Sequence, residues 1–284
     1  MQAFFFLIII AYGIVIPHLY FYGRYIAPSI FILIFLGIRT ANAFLKPKIF
    51  LIYIIGSSLF FLLYGALNVN KYACLCEAEK KLQINIGKWL YSHTQKDARI
   101  ATHDIGAIVY YGRRYCIDTL GLGTKETISM FGNEEALIKF LKTEKIDFLI
   151  GFPFVYSKMV SLYPYDIRLI RIFGVENTLF SSWNFCIWET SWGESHYYKG
   201  LGFLRNNDAK SAKDEFLKAV RINKEDFLSH FMLGDILKNQ GDFKNALNYY
   251  KIGLENLKKL EKEGMSVNRE EIERIEAMVK SGSF

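Results

Sequence analysis

The sequence predicts a three-part fold: a membrane α-helical segment of about three transmembrane helices, then a small α/β domain, then an all-α helical array. Three observations carry this reading. The first 76 of 284 residues contain no Asp or Glu, and Glu77 is the first acidic residue. From Lys71 onward, short β-rich apolar runs alternate with helical stretches. Near the end, small and aromatic residues recur 34 residues apart. The expected boundaries are 1–70 for the transmembrane helices, 71–192 for the α/β domain and 193–284 for the helical array.

In the first part, residues 1–23, 25–38 and 49–70 are uncharged. About 20 apolar residues span a bilayer core, so the first and third runs have span length. The middle run is short. It spans only if the helix continues through Thr40–Leu45 with Arg39 snorkelling to the interface; otherwise it is re-entrant or interfacial. A cleaved signal peptide does not fit, because a basic n-region is missing and two more hydrophobic stretches follow. The abrupt apolar start suits a fragment of a larger membrane protein.

The Arg39–Lys48 loop holds three basic residues and the Pro17–Arg24 loop one. The positive-inside rule therefore places the second loop in the cytoplasm and the domains after Lys71 outside it. The expected localisation is an integral protein of the bacterial inner membrane with extracytoplasmic C-terminal domains. With two spans instead of three, those domains lie on the side of the N-terminus.

The net charge of +7 is not a nucleic-acid signal. Arg24, Arg39, Lys46, Lys48 and Lys71 lie in the acid-free front, and the remaining 30 basic and 28 acidic residues leave +2. Nucleic-acid binding needs a dense basic patch, so no nucleic-acid partner is expected.

In the α/β domain, Lys71–His93 reads as a helix, with Ala78, Leu82, Ile86 and Leu90 at helical spacing. Arg99–Thr102, Tyr115–Ile117 and Phe148–Ile150 read as strands, and Ile105–Tyr111 and Glu134–Glu144 as helices, with Asn133 as N-cap. Arg168–Phe173 and Phe185–Glu189 read as later strands near an edge. The sheet is expected to be at least partly parallel.

The segment Ala98–Leu122, ARIATHDIGAIVYYGRRYCIDTLGL, carries Asp104, Gly106, Tyr110, Tyr111, Asp118, Gly121 and Leu122 in an order that resembles a known domain. That domain follows the last membrane helices of GT-C-type, polyprenyl-phosphate-sugar-dependent glycosyltransferases. Upstream, Arg24, Tyr25 and Pro28 resemble the start of a late helix in that family. The resemblance covers roughly residues 18–150. It implies a polyprenyl-phosphate-sugar donor; the residues themselves identify no cofactor. The family's catalytic acid lies in an early extracytoplasmic loop, and no acid here matches it, so no catalytic residue is assigned.

Arg24, with Tyr25, is the candidate lipid-phosphate contact, because a guanidinium binds phosphate through two parallel hydrogen bonds. The competing reading is headgroup anchoring with an aromatic belt. His103, Asp104 and Asp118 are the candidate ligand-binding residues, since ligands collect at the carboxyl ends of strands in open α/β sheets. Asp104 equally suits a helix cap, and Asp118 turn chemistry with Gly121 and Gly123. Cys74, Cys76, Cys116 and Cys186 lack zinc-site spacing, and no metal site is expected. If the domain is outside the cell a disulfide can form, with its pairing open.

In the array, Gly200 and Gly234, Asp208 and Asp242, Ala212 and Ala246, and Phe216 and Tyr250 keep the 34-residue offset. This is the tetratricopeptide (TPR) pattern of two helical hairpins, with Arg269–Lys280 as a capping helix behind Asn268. A short array gains by packing on the α/β domain or on another chain. The expected partners are membrane lipid and a protein in the groove of the repeats. Two functions compete: the C-terminal region of a membrane glycosyltransferase lacking its catalytic loop, and a non-enzymatic membrane-anchored scaffold of the cell envelope.

Overall fold

The structure, a computed structural model, describes residues 35, 38–39, 46–177, 181–263 and 269–282. The chain divides into two compact units, Met1–Tyr72 and Ala73–Phe284. Helix α1 (Pro47–Glu79) opens on a proline, whose fixed φ and missing N–H suit a first helical turn.

Among the described residues, no helix is long and apolar enough to cross a membrane. This corrects the expected membrane α-helical segment. The third apolar run folds as the front of α1. Gly56, Ser57 and Ser58 divide its apolar residues into two blocks, and Asn68, Asn70 and Lys71 end them. The first run lies outside the described residues, as does most of the second. The inner-membrane localisation and the extracytoplasmic placement of the later domains rested on those spans and fall with them. The fold described is an α/β fold with a mixed five-stranded sheet.

After a π-helical turn at Lys80–Ile84 come α2 (Asn85–His93), β1 (Arg99–Thr102), α3 (Gly106–Gly112) and β2 (Tyr115–Asp118). A 3₁₀ turn at Lys125–Met130 leads to α4 (Glu134–Thr143), β3 (Phe148–Gly151) and α5 (Pro153–Leu162). Two long strands, β4 (Ile167–Asn177) and β5 (Ser181–Thr190), complete the sheet in the order β2-β1-β3-β5-β4. β2, β1 and β3 are parallel, while β5 runs antiparallel to both of its neighbours.

Alternating side chains sort the sheet into two apolar layers. Ile100, Ile150 and Ile187 join Leu82, Ile86, Leu90 and Ile108 of the α2–α3 side. Ala101, Leu149 and Trp188 join Ile138, Leu141, Tyr156 and Met159 of the α4–α5 side. Each buried side chain of Leu or Ile size contributes about 1.5–3 kcal/mol. Asn133 caps α4 by accepting the Ala136 N–H at 3.1 Å, as its sequence position predicts. Helix α5 has no strong amphipathic period and begins on Pro153.

A buried arginine ties α2 to α3. The Arg114 guanidinium donates to the carbonyls of Leu90, Tyr91 and Thr94 at 2.9–3.2 Å, and to those of Gly112 and Arg113 at 3.1 and 3.3 Å. Its Nε donates to the Thr94 hydroxyl at 2.9 Å. The last carbonyls of a helix lack intrahelical partners and carry partial negative charge, so one cation satisfies two helix ends together.

The helical array consists of α6 (His196–Arg205), α7 (Ala209–Ile222), α8 (Phe227–Asn239), α9 (Phe243–Lys262) and α10 (Arg269–Ser281). The 34-residue period has a physical basis at three levels. A Cβ on Gly200 would come within 2.7 Å of the Phe216 ring, and one on Gly234 within 2.5 Å of the Tyr250 ring. The small residue is what lets each helix pair close over its aromatic. Asn207 and Gly241, also 34 residues apart, both adopt left-handed backbone (φ 58° and 79°) in the interhelical turns. Asp208 and Asp242 then cap α7 and α9, accepting from the N–H groups of Ser211 and Asn245. Residue Asn268, the expected cap of α10, lies outside the described residues.

Candidate functional site

Arg24 and Tyr25 lie outside the described residues. The other three sequence-predicted residues stand at or just beyond the carboxyl ends of β1 and β2, where the topology places them.

Asp118 is buried and turned onto its own loop. It accepts from the N–H groups of Leu120 at 2.9 Å and Gly123 at 2.6 Å, and its backbone N–H donates to the Thr124 hydroxyl. This is turn chemistry. Asp104 does not cap α3; Ile105 holds the cap position without a side-chain bond. Asp104 instead accepts the Gln83 side-chain amide, tying the π-helical turn to the β1–α3 loop.

His103 is set among Phe152, Tyr156 and Phe185, with ring centroids 5.4–5.8 Å away. Both ring nitrogens are buried without a hydrogen-bond partner. Burial pushes its pKa down to about 4, against a smaller opposing pull from Asp118. The ring therefore behaves as a packing group. Because the unfolded chain takes up a proton near pH 6.5 and the folded chain only near pH 4, stability falls as pH drops through that window, by about 3 kcal/mol at most. His103→Phe is expected to keep the fold, to raise stability at pH 5 and to flatten this slope. Chemical denaturation from pH 4 to 7.5 reads the effect; an unchanged slope contradicts it.

Charged chemistry gathers instead at the opposite, amino edge of the parallel strands. Arg168 of β4 points to α8, and its two Nη atoms each donate to a carboxylate oxygen of Asp226 at 2.9 Å. Its Nε donates to Glu189 of β5 at 2.7 Å, and the Tyr197 ring lies 3.6 Å from the guanidinium. Asp226 also caps α8, accepting from the Ser229 N–H and, at 2.6 Å, from its hydroxyl. Arg171 extends the junction to Glu225 at 2.6 Å and Glu263 at 2.9 Å. Two strand arginines thus hold the helical array on the sheet.

One guanidinium serves two carboxylates here, and the carboxylates respond unequally. Burial pushes Glu189 up, against the pull of Arg168. Burial also opposes ionisation of Asp226, but Arg168 and Ser229 outweigh it and hold that carboxyl below its usual range. Nearby, burial raises Asp147, although it accepts from the N–H groups of Arg99 and Glu194. A cavity of ≈ 200 Å³ lies against the triad, with Asp147, Arg99 and Glu144 also in its wall.

A second concavity follows α6. Gly200 of this helix turns toward Phe216, whereas Tyr198, Leu201 and Arg205 line an open hollow of ≈ 330 Å³. Tyr165, Asp166 and Ser191 form its other wall, and Tyr165 is 87% exposed.

Among the described residues, the four cysteines form no disulfide. Burial pushes Cys116 and Cys186 up to about 12, which keeps them protonated at neutral pH.

Fold and sites define an α/β sheet domain continued by helical hairpins, with charged groups concentrated at their junction. The model of a domain of unknown function, DUF8728, matches residues 70–198, which extend from within α1 through β5 to the start of α6. No glycosyltransferase or TPR family match accompanies it. No curated protein and no solved structure matches the chain.

Sequence reading missed Arg168, Arg171, Glu189 and Asp226. One signal was present: arginines at 168 and 171 interrupt an otherwise apolar strand, RLIRIF. A charged residue in a buried strand requires a partner.

Proposed function

We propose that this protein is a binding scaffold whose helical array, fixed on the α/β domain, takes a segment of a partner protein along α6. The observation that supports this is the split character of that helix. One face closes on α7 through Gly200, with Leu201 packed partly on the same core and partly on the hollow, and the other presents Tyr198 and Arg205 to the open hollow. Its volume falls in the range of binding clefts. Tyr and Arg are the side chains most often found at the energetic centres of protein interfaces, since they bury apolar area and still offer hydrogen bonds. The junction at Arg168 and Arg171 supports the same reading, because a rigidly seated array presents its face without an ordering cost.

The carboxyl edge offers no comparable support for sugar transfer. Asp118 is engaged by its own loop, Asp104 by Gln83, and His103 is enclosed by aromatic rings.

Photo-crosslinking tests the proposal. A benzophenone amino acid replaces Leu201 in the hollow or, separately, Lys251 on the exposed face of α9. The expected result is one stoichiometric protein adduct from position 201 and none from 251. Equal labelling from both positions, or no adduct from 201, overturns it.

A further inference from the structure

We propose that the face formed by α2 and α3 docks an acidic segment of a partner protein, held by Lys88 and Arg113 and covered by the tyrosines beside them. This face is separate from the hollow along α6, and the inference does not depend on the partner proposed there.

The packing of the two helices assembles the face. A Cβ on Gly87 would come within 2.7 Å of the Tyr111 Cβ and 2.9 Å of the Ile108 carbonyl oxygen, so α2 meets α3 at backbone distance. Lys88 of α2 thereby stands 5.9 Å from the centre of the Tyr111 ring. Arg113, which ends α3, lies against Tyr91 of α2, its guanidinium 5.8 Å from the centre of that ring. The Tyr110 and Tyr111 rings meet edge to face at 5.0 Å. Tyr91 and Tyr110 are 55% and 76% exposed. Tyrosine and arginine are the side chains enriched where protein interfaces bind most tightly, because they bury apolar area and still offer hydrogen bonds.

Charge identifies the occupant. Residues 84–96 and 105–117 contain no Asp or Glu. Lys88 and Arg113 are exposed, and among the described residues neither pairs with a carboxylate; their side chains lie against tyrosine rings instead. Other cations of the neighbourhood are already answered. Arg99 pairs with Glu144, and Arg114 is engaged by the carbonyls of α2. A carboxylate brought by a partner takes the parallel hydrogen bonds that a guanidinium offers, and tyrosine hydroxyls donate to it further. Two open cations are few for a nucleic acid. Tight duplex binding neutralises about 6–10 phosphates, and single-strand binding needs a charged groove along the backbone. A short protein segment with a few carboxylates matches the face in number.

Fluorescence anisotropy on the full chain at low ionic strength tests the inference, with labelled hexaglutamate as probe and labelled hexaglutamine as its neutral counterpart. Hexaglutamate is expected to saturate a single site, and hexaglutamine to give no saturable change. Lys88→Gln combined with Arg113→Gln is expected to weaken hexaglutamate at least about tenfold, through loss of its charge-assisted hydrogen bonds. Tyr110→Ala, which keeps both cations, is expected to weaken it as well. Lys210→Gln with Lys251→Gln, an equal change of charge at exposed positions of α7 and α9, is expected to leave binding unaltered. No saturation by hexaglutamate, equal binding of hexaglutamine, or an unchanged dissociation constant in the Lys88/Arg113 variant overturns the proposal. So does tighter binding of hexathymidylate, which would make the face a nucleic-acid site.

Discussion

Arg168→Ala is expected to destabilise the folded chain by about 3–5 kcal/mol, a large share of a typical stability of roughly 5–15 kcal/mol. The reason is what remains, more than what is removed. Arg168 neutralises Asp226 and Glu189 together, and its loss leaves two buried carboxylates facing each other without a cation. Such a pair resists ionisation, so both folded-state pKa values rise in the variant. A raised carboxyl pKa favours the folded state at low pH and loses that contribution as pH rises. The defect is therefore expected to be larger at pH 7.5 than at pH 5. Urea denaturation at the two pH values measures it. Arg168→Ala/Asp226→Asn is expected to recover part of the loss, because the amide keeps a cap oxygen for Ser229 without the charge. Equal destabilisation at both pH values contradicts the assignment of the effect to charge.

Arg114→Met is expected to cost about 3 kcal/mol by a different route. The guanidinium serves neutral acceptors, the carbonyls at the ends of α2 and α3 and the Thr94 hydroxyl. Removing it leaves buried acceptors unmatched, each worth about 1–3 kcal/mol where no other donor reaches it. Leu90 retains the Thr94 N–H and hydroxyl, which limits the total. Arg114→Lys is expected to recover less than half, since an ammonium has three donors and no planar fork. Thermal unfolding of the three proteins checks the order Arg, then Lys, then Met. Because these acceptors do not titrate, the loss is expected to be the same at pH 5 and pH 7.5, in contrast to Arg168→Ala.

Much of the sheet and the hairpins was legible from local pattern. Arg99–Thr102 is a strand because its side chains alternate between two buried faces, and Asn133 caps α4 because the helix needs an acceptor there. The 34-residue period was readable because Gly200 and Gly234 meet the same kind of aromatic neighbour. Helix α5 was not, since its apolar residues have no helical period and only Pro153 marks its start. The apolar front was read as membrane spans from its missing charge. That criterion gives no weight to interruptions such as Gly56-Ser57-Ser58 within α1.

The candidate sites were less legible for a structural reason. His103, Asp104 and Asp118 are polar residues at strand ends, and sequence shows the position without showing the partners. Asp104 is answered by Gln83, 21 residues away, and Arg168 by Asp226, 58 residues away. Polar contacts at such separations are set by topology, which places β4 at the sheet edge beside the start of α8. The arginines in RLIRIF announced that partners must exist; only the fold says which.

Amide hydrogen exchange on the full chain, alone and with the crosslinked partner supplied in excess, tests the central claim most directly. Binding along the hollow predicts slowed exchange in α6 and in the opposing wall around Tyr165, Asp166 and Ser191, with α9 unchanged. Protection confined to the outer face of α9, or no change in α6, contradicts it.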